Sequence, residues 1–149
     1  MSYPLMLILH LLAAIFFIGT VMFEMLVLHR ALAAVRGLSG AEVVKPLQHQ
    51  ITQRVQRLMP WVLLILYGAG IGLAWHYRSV LENPLGSSLG KMLSLKMILA
   101  VSVLVHFLRA VSWIRSGSMT ARRARIIHVS VFLHMLAIVV LAKGMFYIQ

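Results

Sequence analysis

Four apolar stretches, Leu5–Leu28, Leu58–Trp75, Met92–Trp113 and Ile126–Phe146, dominate the chain, and the basic residues collect mostly between them. Crossing ~30 Å of hydrocarbon takes ~20 residues at 1.5 Å each, so each stretch predicts a membrane-spanning helix. Aromatic residues fall near their ends, at Tyr3, Trp61, Trp75, Tyr77, Trp113 and Tyr147, where amphipathic rings favour the lipid–water interface. The pattern predicts an all-α, integral membrane four-helix transmembrane bundle formed as one domain over residues 1–149. The first stretch begins almost at Met1 without a basic leader or a small-residue cleavage site, and it reads as a retained helix.

The segment between the first two stretches has a pattern of its own. Val44, Leu47, Ile51, Val55 and Leu58 recur at three and four residues, and Ser39 to Glu42 has capping-box spacing. These features predict an amphipathic helix in the first loop, lying at the interface or extending the second membrane helix. Pro46 cannot donate a helical N–H, which places the predicted start near or after it. Gly68-Ala-Gly-Ile-Gly72 contains a GxxxG spacing that admits a close helix neighbour and permits a homodimer.

Composition agrees with a membrane solvent: 61% of the 149 residues are hydrophobic and only 11% charged. Lys and Arg number 14 against three acids, Glu24, Glu42 and Glu82. That balance can suit nucleic acid, but its distribution between apolar runs points to anionic headgroups of the lipid bilayer instead. The first loop carries Arg30, Arg36, Lys45, Arg54 and Arg57, and the third Arg115, Arg122, Arg123 and Arg125. The middle loop holds only Arg78 and Lys91, offset by Glu82. By the positive-inside rule the first and third loops are cytoplasmic, and both termini are periplasmic in a bacterial-type inner membrane. With no cysteine, disulfides, thiolate metal sites and iron–sulfur clusters are excluded.

Polar side chains within hydrocarbon are costly and need a partner or a purpose. Arg109 and Lys143 lie about one turn from a helix end and can snorkel, and His128 begins its helix. His10, Glu24, Lys96, His106 and His134 lie deeper. From the helical rise, His10 sits roughly 8 Å and Lys96 roughly 6 Å below the outer boundary. His106 and His134 sit roughly 11 Å and 12 Å above the inner one. Depth thus pairs His10 with Lys96 and His106 with His134, with His76 as another partner for His10. Facing histidines are how bundles hold cofactors such as a tetrapyrrole, and each can equally be a hydrogen-bonded packing residue. Glu24 follows His10 by close to four turns, shares its face, and suits either an ion pair or a proton relay.

The ten methionines introduce a second chemistry. Met6 lies one turn before His10, and Met92, Met97 and Met145 fall in the same outer half. Thioethers and imidazole suit copper(I), so His10, Met6, Met92 and Met145 form a candidate metal set, although Met also fills gaps in apolar cores.

His10-Leu-Leu-Ala-Ala-Ile-Phe-Phe-Ile-Gly19, Arg57-Leu-Met-Pro60, Gly68-Ala-Gly70, Lys96 and His106 together resemble the CopD-like copper resistance integral membrane family. The same features resemble the related HemJ-type protoporphyrinogen oxidases, four-helix membrane proteins that bind haem b. The second resemblance implies haem b held by His10 and Lys96, a membrane oxidoreductase activity, and a quinone or other electron-transfer partner. The first implies copper transport or resistance.

Overall fold

The computed structural model describes residues 2–144. Met145, of the candidate copper set, and the predicted end of the last helix at Phe146 lie outside the described residues. The described chain is all-α, with helices α1 (Tyr3–Phe23), α2 (His29–Ser39), α3 (Ala41–His76), α4 (Arg78–Glu82), α5 (Ser88–Arg115) and α6 (Ala121–Gly144). Four helical stretches are long and apolar enough to cross a membrane, and the chain is a multi-pass membrane protein. It forms two units, one up to His76 and one from Tyr77 onward.

In the first unit, α1 and α2 run almost as one rod, joined by a π-helical turn over Glu24–Leu28. Widening the helix to i→i+5 bonding lets the Glu24 carbonyl accept from the His29 backbone N–H, and His29 Nδ1 donates to the same oxygen. Gly40 then reverses the chain at φ 80° and ψ 165°, a region essentially confined to glycine. The 36-residue α3 runs back alongside, about 54 Å in length.

The predicted helix ends fall short because apolar runs report only the part of a helix that meets hydrocarbon. The first loop is helical on both sides of Gly40, and α3 begins at Ala41, five residues before Pro46. Pro46, in the second turn of α3, removes one N–H donor, and the helix continues through it. α2 ends at Ser39 and α3 begins after Gly40, at Ala41.

Ala13, Phe17 and Val21 are buried at four-residue spacing on α1, matched on α3 by Met59, Leu63 and Ala69. Leu32 of α2 and Val44 of α3 continue this seam past the apolar stretch. The opposite faces present Leu12, Ile15, Leu64 and Ile71, each at least 60% exposed. Apolar exposure on that scale would be untenable in water and is the expected surface against lipid.

In the second unit, α4 leads through an Asn83–Ser87 turn to α5, whose start is capped by Ser87 Oγ accepting from Gly90 N–H at 3.0 Å. α5 and α6 are antiparallel, joined by the Ser116–Thr120 turn. Gly117 adopts φ 65° there, and Thr120 Oγ1 accepts from the Arg123 N–H.

Because Gly40 is the reversal point of the first unit, Gly40→Ala is expected to cost about 1–3 kcal/mol. Gly37→Ala, in open space within α2, is expected to be neutral or to gain up to about 1 kcal/mol. Reversible unfolding in mixed micelles compares the two.

Candidate functional site

The first candidate, His10, lies on the α1 face that packs against α3. Its Nδ1 donates across the pair to the backbone carbonyl of Leu66, at 2.9 Å. That carbonyl belongs to the turn closed by Gly70, four residues on. A Cβ at Gly70 would lie 3.1–3.2 Å from the imidazole, so the glycine is what opens the groove for the ring. One turn earlier on α1, Met6 rests on Gly72, where a Cβ would collide with its sulfur. Gly70 and Gly72 therefore make a two-step seat for His10 and Met6. Gly68, the other end of the GxxxG spacing, faces open space.

The bond to Leu66 also decides the tautomer. A carbonyl can only accept, so in the neutral ring Nδ1 carries the proton and Nε2 the lone pair. An Nδ1–H held by a backbone carbonyl is the support that orients many metal-ligating histidines. His76, the other suggested partner for His10, instead meets Tyr3, with ring centroids 4.7 Å apart. Along α3 it lies six residues beyond Gly70, roughly 9 Å, which separates it from the His10 seat.

His106 and His134 are brought together, as their matched depths predict. They belong to a closed ring of four hydrogen bonds, two within the helices and two across the α5–α6 pair. His106 Nδ1 donates to the Ser102 carbonyl and His134 Nδ1 to the Ser130 carbonyl, both at 2.7 Å. Each Nε2 must then accept. Ser130 Oγ donates to His106 Nε2 and Ser102 Oγ to His134 Nε2, both at 3.0 Å. The ring centroids lie 5.4 Å apart at 53°. Here each Nε2 meets a serine on the opposite helix, so the pair joins α5 to α6.

The two halves of the ring are the same short pattern, Ser102-Val-Leu-Val-His106 and Ser130-Val-Phe-Leu-His134, with Val103 and Val131 both buried. Antiparallel packing sets each serine opposite the other helix's histidine. The sequence reading picked out the histidines and missed the serines, although the repeated Ser-Val-x-x-His spacing was there to find them.

The same register reaches the helix ends. Eleven residues on from Ser102 is Trp113, and eleven back from His134 is Arg123, whose guanidinium carbon lies 4.9 Å from the indole centroid. Arg109 sits 5.1 Å from the same ring, so it folds onto Trp113 as well. His128 Nδ1 donates to the Ala124 carbonyl at 2.7 Å within its own helix.

Glu24 is half-buried at the first residue of the π-helical turn. Lys96 is half-buried on α5, and Met92 lies one turn before it, also half-buried. Among the described residues no three His, Cys, Asp or Glu side chains converge in a group that could hold a metal ion. No buried side-chain nitrogen or oxygen among them lacks a hydrogen-bond partner.

If the Ser–His ring joins α5 to α6, Ser102→Ala should destabilise by about 1–3 kcal/mol by stranding His134 Nε2. In a His134→Leu background the same change should cost less than about 0.5 kcal/mol, because both partners are then gone. A double-mutant cycle on thermal unfolding in detergent measures the difference. Comparison with protein-family models, with curated proteins and with solved structures finds no match to this chain.

Proposed function

We propose that this chain is a haem b-binding membrane redox protein in which the His10 imidazole would hold the haem. One observation carries the reading: His10 Nδ1 is tied to the Leu66 carbonyl on a seat opened by Gly70, which leaves the lone pair on Nε2. The sparse donor set agrees. A macrocycle brings four nitrogens of its own, so the protein need add only one or two ligands, whereas a bare ion asks for more. No such larger group of His, Cys, Asp or Glu is found among the described residues.

When bound, the haem would supply one-electron chemistry, serving electron transfer or porphyrin oxidation. The protein's part is to orient the imidazole through Leu66, to keep its tautomer constant, and to surround it with apolar side chains that exclude water. Lys96 is the second ligand implied by the family resemblance. The proposed setting is a bacterial-type inner membrane with both termini periplasmic, on the strength of the loop charges.

A copper reading is supported by Met6, which shares the glycine seat with His10. Thioether and imidazole one turn apart form half of a soft-metal site. The two readings separate on one preparation.

Purified protein from cells supplied with iron and haem precursor is expected to show a Soret band. His10→Gln keeps a donor for Leu66 but is a poor iron ligand, and is expected to abolish or strongly shift the band while helicity is unchanged. Met6→Leu should leave the band in place, and Lys96→Met reports whether that amine is a ligand. A preparation without a Soret band that carries stoichiometric copper, lost in Met6→Leu, would overturn the haem assignment in favour of copper.

A further inference from the structure

The α5–α6 turn carries a charge problem of its own. Arg115 ends α5, and Arg122, Arg123 and Arg125 crowd the first turns of α6. A helix start already has the positive end of the macrodipole, so cations there sit against the field. No carboxylate side chain occurs after Glu82 in the sequence, so nothing on α5, α6 or their turn neutralises them.

The four arginines are not equivalent. Arg123 is engaged: Nη1 donates to the Ser118 carbonyl at 2.6 Å and its guanidinium covers Trp113. Arg125 instead forms one end of an open groove of about 400 Å³ on α6, whose other lining residues are Ile126, Val129, Ser130 and Leu133. From Ile126 to Leu133 the groove runs roughly 10 Å along the helix. Ser130 is the one polar wall, and its hydroxyl is already committed to His106. The feature is thus an apolar trough with an arginine at one end.

We propose that this trough binds one anionic phospholipid, with its phosphodiester on Arg125 and an acyl chain along Ile126, Val129 and Leu133. A free phosphate would satisfy the arginine but leave the trough empty. A zwitterionic lipid would fill the trough but bring no net negative charge to offset the arginine cluster. An anionic lipid does both, and the leaflet on the proposed inner side is the one rich in such lipids. Arg122, one turn before Ile126, adds to the headgroup field, while the Arg123–Trp113 stack holds the turn in place. The site lies wholly within the second unit and is independent of the haem reading.

Native mass spectrometry of the full-length protein in detergent, with phosphatidylglycerol or phosphatidylcholine of identical chains, tests this. Phosphatidylglycerol is expected to be retained in preference. Arg125→Gln should lower its retention about five-fold and Arg115→Gln less than about two-fold, since one interfacial charge contributes on that scale. Leu133→Trp, which fills the trough without changing charge, should lower retention as well; circular dichroism verifies that each variant is folded.

Equal losses in Arg115→Gln and Arg125→Gln would overturn the site in favour of a diffuse basic surface. Binding of chain-free glycerophosphoglycerol as strong as that of the lipid, or an unaltered Leu133→Trp, would overturn the acyl trough. Equal retention of the two lipids would overturn the headgroup assignment.

Discussion

Hydrocarbon offers a polar group no solvent partner, and the arrangement of both helical pairs follows from that constraint. A histidine in water can leave its nitrogens to solvent. Within a membrane helix each nitrogen needs a protein atom, and the cheapest first partner is a carbonyl of the preceding turn. His106, His128 and His134 all turn Nδ1 back in this way. The remaining nitrogen then has to look outward, and what it finds decides whether the residue packs helices or serves chemistry.

For His106 and His134 it finds the other helix's serine, and the result is self-sufficient. Four hydrogen bonds close on themselves, each imidazole is bonded through both nitrogens, and the antiparallel register is set to a single choice. A shift by one residue would leave four half-buried polar groups unmatched, a larger penalty than the loss of any one van der Waals contact. Aliphatic side chains such as Val103, Val131 and Met135 fill the seam but would tolerate sliding more easily. The polar ring makes the pair specific, and the Trp113–Arg123 stack repeats the same register at the interface.

His10 differs in where its Nδ1 goes. The proton is spent on a carbonyl of the neighbouring helix, reached because Gly70 presents no side chain in the way. This bond does double duty as a helix contact and as an orienting support, and it is what places His10 ahead of the other membrane histidines as a candidate ligand. Small residues in membrane helices are often explained by close approach of backbones. Here Gly70 and Gly72 instead make room for two side chains, an imidazole and a thioether, that carry the candidate chemistry.

The all-α class and the four membrane-length helices were legible in the amino-acid sequence because hydropathy over ~20 residues is a local, additive property. Depth was legible too, through the constant rise of a helix, and it paired His106 with His134. Rotation about the helix axis was not: a run apolar on nearly every side gives no signal for which face meets a neighbour. Only tertiary packing decided that His106 and His134 answer to Ser130 and Ser102, that His10 lies against Gly70 and away from His76, and that Arg125 heads a groove while Arg123 does not. Helix ends divided the same way. Apolar length marked where the membrane begins, whereas the continuation of α1 into α2 and of α3 back to Ala41 depended on Leu32 and Val44 finding a seam to close.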